Sequence, residues 1–241
     1  MKAMIFTTGL RNKLLPQPAE KPGALVEING EPLIGMLIKR LADSGFTEII
    51  LNVHHFAGPI IDFLKKKKFF GIRIEISDET ELTLDTGGIF RKVGWFFNDP
   101  SPFLIYNLEI LSDINLIKLY SDHTNSGAMA TLVVRKRESP RYMLFNKKMQ
   151  LCGWKNNLTR ETRTSLPYRH KLSEFAFSRI QIVNPLIFEY LTFRGDFSLV
   201  DLYLRLASEH HIRGYLDNDS IWMDLGKKEG IVEAERFFQM N

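Results

Sequence analysis

Three places in this chain set groups able to hold an anion or a cation where a backbone can present them. Lys2 to Thr8 is a short apolar and β-branched run that empties into Thr7-Thr8-Gly9. The pattern predicts a buried strand ending in a tight turn. In an open α/β sheet, ligands collect at the carboxyl ends of the strands, where a glycine lets the backbone approach and free N–H groups face a phosphate. A second place is Leu84-Asp85-Thr86-Gly87-Gly88, leading into a helical pattern over Ile89 to Phe97. Two glycines at a helix start expose backbone donors to an anion or a base edge. The third is Glu109, set where the dense apolar strand Phe103 to Asn107 runs into Leu108. A strand tip is where function concentrates, and the competing reading is an ordinary solvent-facing glutamate.

Other reactive types read as structural. Cys152 is the single cysteine, so an internal disulfide is impossible, and a packed core thiol is the expectation. His54 and His55 are adjacent and point to different sides of an extended chain, which makes them poor co-ligands for one metal. The basic block Lys65 to Lys68 closes an apparent helix, where the helix dipole favours cations. With a net charge of only +4 and no helix-turn-helix, zinc or RNA-binding signature, nucleic acid is not an expected partner.

The elements that must position these groups follow from hydrophobic period. Asn29-Gly30 is a tight-turn dipeptide, and Leu33, Ile34, Leu37, Ile38 and Leu41 share one helical face that Ser44-Gly45 ends. Glu48 to Val53 reads as a strand, Pro59 to Phe69 as a helix stopped by Gly71, and Ile72 to Ile76 as a strand. This βαβα rhythm predicts an α/β fold with a parallel sheet and helices on both faces. Further on, Ile114 to Asn125 reads as a helix, Ala128 to Arg135 as a strand, and Arg141 to Phe145 with Met149 to Trp154 as a hairpin. Asn156 to Lys171 is polar without period and reads as a long loop or lid. Glu174 to Val183 and Ile212 to Leu216 read as strands, Phe197 to Ser208 as a helix, and a terminal helix buries Ile231, Ala234, Phe237 and Phe238. At 241 residues and 44% apolar content the chain is expected to be a single domain, 1–241. No apolar run reaches the roughly 18 residues of a membrane span and no signal pattern opens the chain, so a cytoplasmic protein without membrane contact is expected.

The opening stretch also carries a resemblance. Aligned without a gap, Phe6-Thr7-Thr8-Gly9-Leu10, Pro16 and Pro22-Gly23-Ala24-Leu25-Val26 match the signature loop of the sugar-phosphate nucleotidylyltransferases. That loop reads (L/I)AAGxGTRLxPLT, three residues, then PK(A/P)LV. The chain departs from it at Arg11 for the second glycine, Asn12 for threonine, Lys13 for arginine and Gly23 for lysine. Leu84 to Ile89 is similar to the family's LETGGG, Asn107-Leu108-Glu109 to its N-(G/V)-D, and Trp222-Met223-Asp224-Leu225-Gly226 to its W-x-D-(V/I)-G. Phe175 to Pro185 resembles its sugar-side strand, with Arg179 in place of glycine. The closest likeness is to the subgroup of mannose 1-phosphate guanylyltransferase-like and N-acetylmuramate 1-phosphate uridylyltransferase-like enzymes.

The resemblance implies a three-layer α/β/α Rossmann-like nucleotidyltransferase fold with a mostly parallel, mixed central sheet. It implies that a nucleoside triphosphate and a sugar 1-phosphate give a nucleotide sugar and pyrophosphate. By the same likeness Glu109 and Asp224 would hold Mg²⁺ or Mn²⁺, and Lys13 would face the β and γ phosphates. Lys21, two positions before the vacant lysine site, is a second candidate cation. Thr7, Thr8, Gly9, Leu10, Asn12, Asp85, Thr86, Gly87 and Gly88 would border the nucleotide. Asn107, Arg179 and Trp222 would border the sugar phosphate, where the Arg179 cation either blocks the sugar or replaces the charge absent at Gly23. The substitutions leave two classes open: a nucleotidylyltransferase, slowed by its altered loop, and a non-catalytic relative that binds a nucleotide, a sugar phosphate or a protein partner.

Overall fold

The computed structural model describes residues 1–7, 22–53, 57–79, 86–165, 171–191, 197–226 and 228–240. The chain opens with β1 (Lys2–Phe6), the hairpin β2 (Glu27–Ile28) and β3 (Glu31–Pro32), and α1 (Leu33–Asp43). β4 (Glu48–Val53), α2 (Ala57–Lys66), β5 (Arg73–Asp78), α3 (Thr86–Lys92), β6 (Phe103–Asn107) and β7 (Ile110–Ser112) follow. Next come α4 (Leu116–Ser126), β8 (Ala130–Arg135), β9 (Arg141–Phe145), β10 (Leu151–Asn156), β11 (Glu161–Thr164) and β12 (Ser173–Val183). The chain closes with α5 (Leu199–Leu206), β13 (Ile212–Leu216), β14 (Trp222–Asp224) and α6 (Lys228–Met240).

Contacts divide these elements into two units, each assembled from separate stretches of chain. One comprises Met1–Thr83, Ile105–Ile114 and Ile221–Asn241, the other Leu84–Leu104 and Asn115–Ser220. Units interleaved in this way need no linker, and none is visible in the sequence.

In the first unit β4 lies parallel to both β1 and β5, as the βαβα rhythm predicts, with β6 on the far side of β1. Ala3 to Phe6, Ile49 to Leu51 and Val53 are buried. Each large apolar side chain so enclosed contributes about 1.5–3 kcal/mol, which makes this sheet the rigid support for whatever its strand ends carry. The five residues assigned to one face of α1 are all buried. Its entry is set by the β2–β3 hairpin, where Asn29 and Gly30 take φ 50° and 79°, the pair of left-handed values that a type I′ turn demands. α2 ends at Lys66 rather than at Phe69. Lys68, Phe69 and Phe70 all take positive φ, which no continuing α-helix accommodates.

In the second unit β12 pairs antiparallel with β8 and β9, β10 pairs antiparallel with β9 and β11, and β13 lies parallel to β8. The loop expected over Asn156 to Lys171 is therefore in part a strand, since Glu161–Thr164 ladders onto Gly153–Asn156. Its residues, Glu-Thr-Arg-Thr, are all polar, so no alternation of apolar positions marks it. Residues 166–170 lie outside the described residues. α3 is held by aromatic stacking, with the Phe90 ring 4.5 Å from that of Phe188. Cys152 is buried on β10, and burial pushes its thiol up, in keeping with a core role. Among the described residues no helix is long and apolar enough to cross a membrane.

Candidate functional site

At the exit of β1 the first residue past the strand is already engaged. The Thr7 N–H donates to Oδ1 of Asn52 at 2.9 Å, and the Thr7 hydroxyl donates to the Asn52 carbonyl at 2.7 Å. The expectation that bare amides begin at Thr7 is corrected accordingly, because an N–H bonded to a side-chain amide is not open to a phosphate. Thr8, Gly9, Leu10, Asn12, Lys13 and Lys21 lie outside the described residues, as do His54 and His55. Asn52 escaped the reading of the sequence. Its signal was there: a lone amide inside the apolar run of β4, where an unpaired polar group is costly and so demands a partner.

The acidic pair is assembled within the first unit. The Leu108 N–H donates to the Phe6 carbonyl at 2.9 Å, which seats the turn after β6 against the end of β1. Glu109 follows and is 1% exposed, so the solvent-facing alternative is excluded. Its Oε1 accepts from Nδ2 of Asn107 at 3.1 Å. β14 then pairs antiparallel with β7, setting Trp222 opposite Ser112 and Asp224 opposite Ile110. The Leu225 N–H closes this ribbon on the Glu109 carbonyl at 2.7 Å. Two acidic residues far apart in sequence are thereby fixed on neighbouring backbone. The first turn of α6 crosses so near that a Cβ on Gly230 would lie 2.1 Å from the Asp224 carbonyl oxygen, and only glycine fits there. Oδ1 of Asp224 accepts from its own Gly226 N–H at 3.1 Å, which orients the side chain along the ribbon.

These donors suit a hard divalent cation. Mg²⁺ is usually held by one or two carboxylates, with substrate phosphates and water completing its shell. Among the described residues no group of three or more His, Cys, Asp or Glu is placed to hold a metal by itself. Glu109 and Asp224 match the smaller donor set. The Asn107 amide has its place in the same arrangement, holding the longer glutamate side chain through Oε1.

In the second unit Thr86, Gly87 and Gly88 form the start of α3. The Gly87 N–H donates to the Phe197 carbonyl at 2.9 Å, and the Leu199 N–H donates to the Thr86 hydroxyl at 3.2 Å. The expected donor at Gly87 is thus bonded within the protein. A Cβ at Gly87 would lie 2.3 Å from the Phe197 ring, so the close approach that makes glycine necessary is to Phe197. Asp85 lies outside the described residues. Arg179 stands in β12 where its register with β8 shifts between Phe177 and Gln181, and takes φ 61°. A left-handed conformation costs a side-chain-bearing residue about 1–2 kcal/mol. The backbone therefore keeps a conformation that favours glycine while the sequence supplies arginine.

The geometry has a counterpart in known proteins. Residues 2–144 match the family model described as nucleotidyl transferase. The mannose-1-phosphate guanyltransferase 2 of Candida glabrata is 28% identical over 239 residues, covering 96% of this chain and 63% of that protein. The chain thus spans less than two thirds of that relative's length. Among solved structures, the UDP-glucose pyrophosphorylase of Acinetobacter baumanii superposes with a TM-score of 0.78 at 16% identity, covering 98% of this chain and 92% of that one. HddC of Yersinia pseudotuberculosis, solved with GMP-PN, gives 0.73 at 17% identity, covering 98% and 99%. The latter two establish the fold, a Rossmann-like mixed α/β architecture. With the family model matched along more than half of this chain, the chain belongs to the nucleotidyl transferase family.

Proposed function

We propose that the protein transfers a nucleotidyl group from a nucleoside triphosphate to a sugar 1-phosphate and releases pyrophosphate. The observation that supports this most is the ribbon of β7 and β14, which fixes Glu109 and Asp224 on adjoining backbone. In the reaction, an oxygen of the sugar phosphate bonds to the α-phosphorus as the bond from that phosphorus to the bridging oxygen of the β-phosphate breaks, so pyrophosphate leaves with the bonding pair. The attacking group is a phosphate whose second ionisation lies near pH 6, so at neutral pH it needs no protein base. Catalysis is then a matter of position and charge. Glu109 and Asp224 would hold Mg²⁺ or Mn²⁺, which when bound supplies positive charge against the phosphates. Asn107 would hold Glu109 in place. Lys13 and Lys21 would face the triphosphate, with Thr8 to Leu10, Asn12 and Asp85 to Gly88 along the nucleotide. Asn107, Arg179 and Trp222 would border the sugar phosphate. The reaction belongs to nucleotide-sugar synthesis, and we assign it to the cytoplasm, where a single buried thiol stays reduced.

The test is pyrophosphate release with each nucleoside triphosphate, Mg²⁺ or Mn²⁺, and a panel of sugar 1-phosphates. Glu109→Gln, which keeps shape and removes charge, should lower kcat roughly a hundredfold, as loss of one charge-stabilising group commonly does. A second reading is favoured by the replaced cation at Gly23 and by the bonded amide of Gly87: a non-catalytic relative that binds nucleotide or sugar phosphate. Nucleotide binding by calorimetry with every substrate pair silent would select it.

A further inference from the structure

Against the ribbon that carries Glu109 and Asp224 lies a cavity of about 280 Å³, lined wholly by residues of the first unit. α1 contributes Leu33, Met36 and Leu37, spaced three and four apart so that they share one face. Leu108 and Ile110, the two neighbours of Glu109, and Leu225, which follows Asp224, form the ribbon side. Phe237 and Phe238 of α6 add aromatic wall. Apolar cavities stay dry and take apolar guests, and one of about 150 Å³ lined by Leu, Ile and Phe holds benzene. A space about twice that size suits two fused rings.

The polar groups of the wall are already bonded within the protein. Nη1 of Arg40 donates to the Tyr106 hydroxyl at 3.3 Å and Nη2 to the Ile114 carbonyl at 2.5 Å. Oδ1 of Asp113 accepts from the Ile221 N–H at 2.7 Å, and the Ser112 hydroxyl accepts from the Ile114 N–H at 3.2 Å. Burial pushes the Tyr106 hydroxyl up to about 12, so it stays neutral. Arg40 and Asp113 are the only charged residues of the lining, and their charges cancel. A phosphate-bearing guest would meet one cation, already shared between Tyr106 and Ile114, and one carboxylate; a neutral ring asks for neither. The wall is also joined to the acidic pair. The Leu225 N–H donates to the Glu109 carbonyl at 2.7 Å, and Ile110 is the ladder partner of Asp224. Side chains that face a void lack dispersion partners there, and a guest supplies them. Whatever fills the cavity therefore packs on side chains borne by the backbone that sets Glu109 and Asp224.

We propose that this cavity is a binding site for a small, neutral, bicyclic aromatic molecule, and that its occupant steadies the ribbon of β7 and β14. The site and its hold on the ribbon stand on the cavity alone; that the occupant thereby regulates turnover rests on the nucleotidyl-transfer reading.

The probe is 2-naphthol, with naphthalene-2-sulfonate as its anionic counterpart, each titrated by calorimetry into the full chain without nucleotide or metal. 2-Naphthol should bind with a Kd of about 0.1–1 mM, as suits a ligand of its size, and the sulfonate about tenfold more weakly. Met36→Trp, which fills the cavity from α1, and Leu111→Phe, which intrudes from β7, should each weaken 2-naphthol about tenfold. Ile117→Trp, at an exposed position on α4 in the second unit, should leave it unchanged. Folding of each variant is checked by circular dichroism. Wild-type affinity in a folded wall variant, or no binding by the wild type, overturns the site, and tighter binding of the sulfonate overturns the neutral guest. Should neither wall variant fold, the Met36 methyl resonance of the wild type decides, since it must shift on titration. The ribbon is followed by amide exchange. Saturating 2-naphthol should slow exchange of the Leu225 N–H about fivefold more than that of the Gly214 N–H, which is bonded to the Met149 carbonyl in the second unit. Equal slowing would show that the guest stabilises the fold as a whole, and overturns the hold on the ribbon. Pyrophosphate release completes the test: 2-naphthol should change the rate of the wild type and not that of Met36→Trp. Turnover indifferent to 2-naphthol overturns regulation alone. No turnover with any substrate pair overturns the nucleotidyl-transfer reading and leaves the binding and exchange results in force.

Discussion

Replacing Gly87 by alanine places one methyl group where the protein has no room. An ideal Cβ there meets Cε2 and Cδ2 of Phe197 at 2.3 and 2.4 Å and the Phe197 carbonyl oxygen at 2.5 Å. The ring can rotate, but the carbonyl moves only if the 2.9 Å bond from the Gly87 N–H is given up, and the neighbouring bond from Leu199 to Thr86 is strained with it. Overpacking of this kind costs about 1–3 kcal/mol and a lost hydrogen bond about 1 kcal/mol. Alanine returns up to about 1 kcal/mol through its helix propensity. The expected result is a loss of about 1–3 kcal/mol, read as a lower midpoint in urea unfolding at unchanged slope. Gly58→Ala is the matched comparison, because nothing lies within 4 Å of its Cβ and it too is helical. It should hold or raise the midpoint, by at most about 1 kcal/mol. In Gly87→Ala/Phe197→Ala the ring is gone and the carbonyl remains, so the double variant should recover only part of the loss. A midpoint for Gly87→Ala at or above that of the wild type would refute the argument that Phe197, rather than a ligand, dictates glycine here.

Further outcomes follow from buried polar groups. His123 is buried on α4 with Nδ1 2.8 Å from the Thr131 hydroxyl, and burial, helped by the Arg213 charge, lowers its pKa from 6.5 to about 4. The unfolded chain takes up that proton first, so stability is full above about pH 6.5 and falls as pH drops toward 4, by about 2 kcal/mol at pH 5. Urea midpoints across this range should fall less steeply for His123→Gln than for the wild type, and parallel curves would count against the assignment. At Arg179 the contrast between two variants isolates the backbone from the side chain. Arg179→Gly should be more stable than Arg179→Ala by about 1 kcal/mol, because both lose the guanidinium and only glycine relieves φ 61°. Equal stabilities would show that the bend in β12 relaxes on substitution.

Much of the fold was legible because hydrophobic period is a direct consequence of burial. The face of α1, the parallel order of β1, β4 and β5, and the strand Phe103 to Asn107 all follow from positions that must leave water. β11 was illegible for the opposite reason: a strand of four polar residues carries no burial signal, and the side-chain contact across its pairing with β10, the Arg163 guanidinium 4.3 Å from the centre of the Trp154 ring, follows no apolar period. The end of α2 was misplaced because Phe69 and Phe70 continue the apolar period while their backbone has already left the helix.

The candidate site divides along the same line. The family resemblance names Glu109 and Asp224 as a pair, and the ribbon of β7 and β14 sets their backbones side by side. What spacing does not carry is the allocation of hydrogen bonds. Thr7 and Gly87 both stand where a sequence motif promises an open amide, and in both cases the amide is bonded, to Asn52 and to Phe197. Neither partner belongs to the motif it serves. If phosphate binding depends on main-chain donors, those donors must come from residues beyond Thr7 and from elsewhere than Gly87. The task left to Thr7 and Gly87 is to hold the chain still. That division predicts different kinetic signatures: variants at Asn52 and Phe197 should alter KM for the nucleotide with little change in kcat, while variants at Glu109 should lower kcat. A fall in kcat at unchanged KM on replacing Asn52 would show that the strand exit takes part in the chemistry itself.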